Sequence, residues 1–397
     1  MLNRGPATSK TQVFRRPMKP EEALTDIEAN RYARQLVLVD IGWEGQQRLK
    51  RSTALVVGAG GLGSPILVQL VSMGVGSIKV VDRDIVSGTD LQRQYLFREQ
   101  DVGRPKIEGV LRSLHEINPS VKVEGYAESL TYEGLLEHLK GADVVLDGLD
   151  GIRARYMVNR ACYETGVPYV FSSAIEMLGS VTTIVPGRTP CLECFYGGLQ
   201  EGSVASCAVV GVHPSILGAV GSIAVSEAVK VMTGGTPSLL SRLLMVDLRN
   251  FSFDTITIKS SPTCVVSGRR RRAAGVPPLL LEHSCKRDGT GTFFVNPKRV
   301  QALDLERLDS YCHANGIAVM KGSPLFRTLR LDDLFDLSLL ESGTAIFAVK
   351  KPLDDLHAAE RKMKSVLRKI LEEGLGVGWG QYGYPRSATH ASRVADL

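Results

Sequence analysis

Residues 53–84 read TALVVGAGGLGSPILVQLVSMGVGSIKVVDRD. The apolar, β-branched run 54–57 has the length of a buried strand. Gly58, Gly60, Gly61 and Gly63 then turn the chain, and an apolar helical pattern follows to about Met73. A second strand, 78–81, ends on Asp82, 24 positions after Gly58. A strand, glycine turn, helix and strand closed by an acid is the arrangement that binds a nucleotide. The glycines divide three tasks: the tight turn, close approach of backbone to a phosphate, and packing of helix on strand. The helix N-terminus offers free N–H groups and a positive dipole end to an anion. Asp82 is placed to accept hydrogen bonds from ribose hydroxyls. The unit alone leaves the nucleotide's identity open.

Upstream, residues 1–25 are polar and basic with Pro6, Pro17 and Pro20, which predicts a flexible leader. A helix is expected from Thr25 or Asp26, with Asp26 and Asn30 as polar capping residues. It carries Arg31, Tyr32, Arg34 and Gln35. Arg31 and Arg34 share a face, which is either a solvated basic surface or a presentation of guanidinium groups to an anion. A short helix over 45–50 leads into the glycine unit.

The chain of 397 residues is long enough for two globular units, and 44% hydrophobic residues support an ordinary core. The net charge of +6 owes much to the arginines at 269–272. No interleaved aromatic and basic stripe accompanies them, so nucleic-acid binding is not expected. No run reaches the roughly 18 uninterrupted apolar residues of a membrane span. The nearest, 216–232, carries Ser222, Ser226, Glu227 and Lys230 and reads as a buried helix with one polar edge. The N-terminus lacks an apolar signal core. Seven cysteines without regular spacing suggest metal or catalytic use in a reducing, cytoplasmic setting.

Beyond Asp84 the chain continues SGTDLQRQYLF (87–97) and REQDVGRPKIEGVLRSLHEIN (98–118). Helices are expected over 106–117 and 132–140, with strands at 121–125 and in VVLDGLD (144–150). Helix and strand alternate again through 159–174. This pattern implies a Rossmann-like α/β fold, a mostly parallel sheet with helices on both faces. Ligands then bind at the carboxyl ends of the strands, where Asp82, Asp84, Asp147 and Asp150 fall beside Arg93 and Lys106. Carboxylates for a metal and cations for phosphate oxygens suit a magnesium-bound polyphosphate. A nicotinamide enzyme would not need that mixture, so ATP is the expected nucleotide.

From residue 180 the alternation becomes that of paired strands. Cys191 and Cys194 form a CxxC, and Cys207 lies in the small-residue stretch VASCAVVGVHPS, expected to be a loop. A long helix and strands at 243–247 and 255–259 precede Cys264. A single CxxC is open among zinc, redox and neither. A second pair would end at 267, but Ser267 stands there. The alternatives are a three-cysteine zinc site borrowing His283 or Cys285, and a site that has lost its metal. The expected layout is a main unit over 26–268 and a basic, Pro-containing linker at 269–278. A small α+β unit at 279–375 and a disordered tail at 376–397 follow. Strands at 292–295 and 344–350 and helices at 300–315 and 357–373 make up the small unit. Met363, Val366, Ile370 and Leu371 read as its core, and it shows no catalytic spacing.

RYARQ (31–35), GAGGLGS (58–64), VDRD (81–84), LQRQ (91–94), DVGRPK (101–106), LDGLD (146–150), CLEC (191–194) and the cysteine loop occur in this order. Together they resemble the ThiF/MoeB/HesA family of ubiquitin-activating-type adenylyltransferases over about residues 28–268. The resemblance implies an enzyme that uses ATP and magnesium to adenylate a carboxylate with release of pyrophosphate. The usual substrate is the C-terminal Gly-Gly of a small ubiquitin-like sulfur-carrier protein. By the same resemblance Asp82 would hold the ribose, with Asp84 beside it, and Gly58, Gly60, Gly61 and Gly63 would cradle the nucleotide. Arg93, Gln94 and Lys106 would grip the phosphates, and Asp150 would bind magnesium. Arg34 matches an arginine that reaches into the partner subunit's site, which implies a homodimer. Cys207 matches a loop cysteine that attacks the acyl adenylate in some members; a small buried cysteine is the alternative, with His213 the nearby base.

Three departures stand out. Asp90 replaces the usual Asn before LQRQ, and its carboxylate must be compensated by magnesium or Arg93. Gly151 follows the magnesium Asp where Asn is common, and Ser267 replaces a zinc cysteine. The C-terminal unit does not resemble a rhodanese domain, because Cys285 and Cys312 lack the flanking pattern. Two other readings follow: adenylation of a small acid or peptide in specialised biosynthesis, and a nucleotide-binding partner protein without catalysis.

Overall fold

Strand β1 (Thr53–Val57) lies inside an eight-stranded sheet, and Ala54 to Val57 are fully buried. Ala54 and Val56 pack into one apolar cluster and Leu55 and Val57 into another. That period of two is the pleat of a strand covered on both faces, which is why the run is apolar without alternation. The computed structural model describes residues 23–199, 210–268, 280–285, 290–353 and 355–382.

The remaining strands of this sheet are β2 (Ser77–Val81), β3 (Lys122–Tyr126), β4 (Val144–Asp147), β5 (Tyr169–Ile175), β6 (Leu178–Ile184), β7 (Arg242–Asp247) and β8 (Ser252–Thr257). Their order is β3-β2-β1-β4-β5-β6-β7-β8. The first five are parallel and the last three are added antiparallel. The chain leaves β1 towards β2 on one side and returns to β4 on the other, so the crevice of a doubly wound sheet opens between β1 and β4. The helix Gly63–Ser72, following the glycine turn, packs with the helices Pro214–Thr233 and Lys106–Ile117 on one face. The helices Tyr132–Leu139 and Ile152–Thr165 cover the other.

Pro214–Thr233 is long and apolar enough to cross a membrane by length and composition. Here it lies within the fold against β5 and β6. Its buried Glu227 accepts bonds from Thr183 Oγ1 and Leu239 N, both at 2.8 Å, and forms the expected polar edge.

Near the N-terminus the first helix, Asp26–Arg31, is capped by Thr25 rather than by Asp26 and Asn30. Glu28 N donates to Thr25 Oγ1 at 3.2 Å and Thr25 N donates to Glu28 Oε2 at 2.8 Å, a capping box. The chain breaks at Tyr32 before the single turn Ala33–Leu36.

The C-terminal unit is richer in strands than its sequence suggests. Two were expected, and six form an antiparallel sheet in the order β11-β12-β13-β14-β10-β9. They are β9 (Leu281–Cys285), β10 (Gly291–Val295), β11 (Ala318–Ser323), β12 (Phe326–Arg330), β13 (Phe335–Leu340) and β14 (Ala345–Val349). The helices Leu305–Ala314 and Leu356–Lys369 complete it, and Met363, Ile370 and Leu371 are core as expected. The expected disordered tail begins too early. Trp379 and Tyr382 are buried in this core, and the Tyr382 hydroxyl donates to Gly343 O at 2.6 Å.

The two units share an apolar seam, since Phe326, Leu340 and Ile346 belong to the same cluster as Ala54 and Val56. Ser342 Oγ donates to Ala127 O at 2.6 Å and Lys321 Nζ to Val102 O at 2.7 Å, so the second unit sits beside β3 and the turn before Lys106.

Candidate active site

The glycine turn works as backbone packed on backbone. A Cβ on Gly63 would stand 2.0 Å from Gly58 O, and one on Gly58 would stand 2.6 Å from Gly148 O. The turns after β1 and β4 therefore touch directly, which no larger residue permits. Gly58 also has φ +91, a conformation glycine adopts readily. Gly61 faces Leu217 of the long helix. Gly60 is different: a Cβ there would meet only Gln94 Nε2, at 3.9 Å. This is the open side of the turn, where a phosphate has room.

Asp82 ties this turn to the end of β2. Its Oδ2 accepts from Ala59 N and its Oδ1 from Asp84 N, both at 2.7 Å. Lys106, the first residue of its helix, is buried with Nζ 2.8 Å from Asp84 Oδ2. Burial alone would lower the Lys106 pKa, but the charges of Asp84, Asp82 and Asp90 raise it, so the amine stays protonated. Asp84 is correspondingly held below the usual carboxylate range, against its burial, by Lys106 and Arg83. Burial pushes the Asp82 carboxyl upward.

Asp90 is a structural cap here. Its Oδ2 accepts from Ser87 N at 2.9 Å, while Oδ1 accepts from Gln94 Nε2 at 2.9 Å and Arg93 Nη2 at 3.3 Å. Its charge is thus met by Arg93, as the sequence requires. Gln94 is 3% exposed, and its Oε1 has no hydrogen-bond partner. An unsatisfied buried oxygen is costly, and the other end of the same amide, Nε2, is the atom nearest the open Gly60. The turn, Gln94, Arg93 and Lys106 fit a polyphosphate; Asp150, exposed after β4, and the part-exposed Asp84 offer the hard oxygens magnesium takes.

Asp147 does not join them. It is 1% exposed, paired with Arg155 at 3.1 Å and bonded by the Tyr169 hydroxyl at 2.5 Å. Arg155 was not anticipated from sequence. Its guanidinium also bonds Leu149 O at 2.5 Å and Ser172 O at 3.1 Å, and so holds the loop that carries Asp150. Arg155 lies eight residues after Asp147, within a helix, and only the fold pairs them. Arg34 is exposed on Ala33–Leu36 and makes no hydrogen bond to these groups among the described residues. Cys207 and the linker at 269–278 lie outside the described residues. His213 caps the long helix through Nδ1, which accepts from Ser215 N at 3.2 Å.

Cys191, Cys194 and Cys264 come together with their Sγ atoms within 4.8 Å of one another. Cys191 Sγ is 3.9 Å from Cys194 Sγ and 3.5 Å from Cys264 Sγ, and Ser267 Oγ is 3.0 Å from Cys194 Sγ. Thiolates about 2.3 Å from a tetrahedral zinc stand about 3.8 Å apart, so the trio fits a metal ion. His283 stacks instead on Phe293 in the second sheet at 4.0 Å, and among the described residues no histidine joins the cluster. The side chain of Cys285 lies outside the described residues.

A doubly wound sheet with a glycine turn, an acid at the end of its second strand and a buried lysine among carboxylates defines a nucleotide-binding α/β protein. Residues 32–266 match the ThiF family, and the chain belongs to it. It is 40% identical over 250 residues to the sulfur carrier protein adenylyltransferase of Thermus thermophilus, covering 62% of this chain and 92% of that protein. It is 37% identical over 247 residues to the SAMP-activating enzyme E1 of Haloferax volcanii, covering 62% and 91%. A crystal structure of E. coli MccB with succinimide has the same fold, with TM-score 0.55 and 24% identity over 61% of this chain and 74% of that one.

Proposed function

We propose that the protein is an ATP-dependent adenylyltransferase that activates the C-terminal Gly-Gly carboxylate of a ubiquitin-like sulfur-carrier protein. The observation that carries this reading is the buried Lys106, whose Nζ lies 2.8 Å from Asp84 Oδ2 just beyond the strand end that also carries Asp82. The acceptor carboxylate attacks the α-phosphorus of ATP. A C–O–P bond forms, the bond from the α-phosphorus to the bridging oxygen breaks, and pyrophosphate leaves with the electron pair. A carboxylate is a weak nucleophile for so charged a centre, so positioning and cations do most of the catalysis. Lys106 and Arg93 face the phosphates, and the Gly60 backbone lets them approach. Asp82 anchors the ribose side, and Arg155 holds the Asp150 loop. Asp150, with Asp84, would hold magnesium, whose charge would neutralise the phosphates.

The partner of the finished enzyme is a second copy of the chain, with Arg34 reaching across. Val37, Val39 and Trp43 beside Arg34 are 79%, 103% and 50% exposed, an apolar surface suited to such contact. We read zinc in the three-cysteine cluster, and a cytoplasmic setting for the protein.

ATP–pyrophosphate exchange tests the reading. Exchange that requires a Gly-Gly-tailed carrier supports it. Exchange with a small acid in place of a carrier points to the second reading, and none with any acceptor points to a non-catalytic partner protein. Arg93→Ala and Asp150→Ala should each abolish exchange; retention by both sinks the site assignment. Cys207→Ala tests a covalent step: intact exchange with lost sulfur transfer supports it, and both intact removes it.

A further inference from the structure

Ser267 stands where a fourth zinc cysteine is expected, and its surroundings show what the exchange does to the cluster. Cys191 and Cys264 are buried and Cys194 is half-buried. Among the described residues no histidine, further cysteine or carboxylate joins the three sulfurs. Ser267 Oγ is 3.0 Å from Cys194 Sγ. An oxygen and a sulfur bound to one tetrahedral zinc stand about 3.6 Å apart, so the hydroxyl lies at hydrogen-bonding distance and inside the spacing of two ligands. It has a second partner as well: the Tyr163 hydroxyl, which donates to Thr189 O at 2.6 Å, is hydrogen-bonded to Ser267. A serine hydroxyl is a neutral, hard oxygen, whereas zinc in closed sites takes thiolate sulfur or imidazole nitrogen. The chain therefore supplies three strong ligands and one weak one. The serine also borders open space. A hollow of about 290 Å³ is lined by Ser267 with Tyr163, Gly187, Arg188, Thr189 and Ser260. No cysteine lines it, so Ser267 is the residue between the hollow and the sulfurs. Arg188 and Ser260 are exposed, and the hollow opens to solvent beside them. Its volume suits a small molecule, and the Arg188 guanidinium favours an anion.

We propose that the three-cysteine centre is a ligand-exchange site, whose metal takes a small exogenous thiolate or hydrosulfide as its fourth ligand through the hollow at Ser267. The proposal rests on the zinc reading of the cluster. Three thiolates make the metal a partner for a further soft sulfur donor. The incoming thiol gives its proton to solvent, and a sulfur lone pair forms the fourth metal–sulfur bond. Ser267 turns aside about its Cα–Cβ bond, and no covalent bond of the protein breaks. The alternative is a closed structural centre in which the Ser267 hydroxyl is itself the fourth ligand. That alternative predicts a centre indifferent to added thiol.

The experiment loads the full chain with Co²⁺ in place of zinc and follows the sulfur-to-cobalt charge-transfer absorption as 2-mercaptoethanol is added, or hydrosulfide in a second arm. The intensity grows with the number of bound thiolates. Wild type should therefore rise by about one third, from three sulfurs to four, with half-saturation at about 1 mM or below. A rise with either probe supports the proposal, and the tighter of the two identifies the source. Ser267→Ala should show the same rise at an equal or lower concentration. Ser267→Cys should start at the four-sulfur intensity and stay there. A wild-type spectrum that both probes leave unchanged overturns the proposal, and so does a fall, which marks metal stripped from the centre. Four-sulfur intensity in wild type before any thiol is added overturns it too, because a cysteine of the chain then fills the position. An equal rise in Ser267→Cys places the ligand elsewhere and overturns it. If Ser267→Cys does not fold, the other two proteins decide: a rise in both supports the proposal, and a rise in Ser267→Ala alone makes the serine the fourth ligand and overturns it. Wild-type protein that binds no Co²⁺ overturns the zinc reading, and the proposal with it. Bound Co²⁺ that ignores both probes overturns the proposal only.

Discussion

Gly60 and Gly63 lie three residues apart and should respond in opposite ways to the same methyl group. Gly63→Ala puts a carbon 2.0 Å from Gly58 O, so the turn must shift, at about 2 kcal/mol or more of stability. Gly60→Ala meets only Gln94 Nε2 at 3.9 Å. Its melting temperature should stay near wild type while ATP affinity, read by calorimetry, falls about tenfold or more as the phosphate loses its approach. Equal loss of stability in both variants would show that Gly60 is structural. Asp101 gives a pH test. Burial would raise its carboxyl, but two bonds from Arg112 at 2.6 Å and one from Arg98 N at 2.8 Å hold it below the usual range. A folded value below the unfolded one, about 3.9, means the pair stabilises above that pH. The contribution disappears as pH falls through the folded value. Asp101→Asn should lose about 2 kcal/mol at neutral pH and show a flatter stability curve below about pH 4 in urea titrations.

At the scale of elements, the three thiols join the helix Leu192–Phe195 to the turn around Cys264, segments 73 residues apart in the chain. Burial pushes the Cys191 thiol up to about 12, so metal must displace protons to bind. Ser267→Cys places a fourth sulfur where Ser267 Oγ now touches Cys194. It should raise zinc affinity in chelator competition by at least about tenfold, and Cys264→Ser should release zinc and lower the melting temperature. No change in either variant would remove the metal from this cluster.

In the whole molecule the two units are not independent. The shared seam of Phe326, Leu340 and Ile346 with the first core, and the Arg83–Glu282 fork, predict a single thermal transition by calorimetry. Co-expressed pieces 1–268 and 280–397 should also co-purify. Two separate transitions would contradict this coupling.

Much of the first unit was readable from residues alone. Continuous apolar strands, glycines in a turn and an acid at a strand end are local signals, because backbone geometry and burial restrict which residues fit. Lys106, Arg93, Gln94 and Asp150 entered through motifs in order. What tertiary structure decided is long-range. Asp147 sits at a strand end just as Asp82 does, yet it faces Arg155 and Tyr169 instead of the crevice. The strands β9 and β11 to β13 are short and broken by polar turns, so only their pairing gives them a pattern. Charge partners such as Arg83 and Glu282, 199 residues apart, carry no local signature at all. An ion pair is chosen by which surfaces meet, and the sequence by itself does not state that meeting.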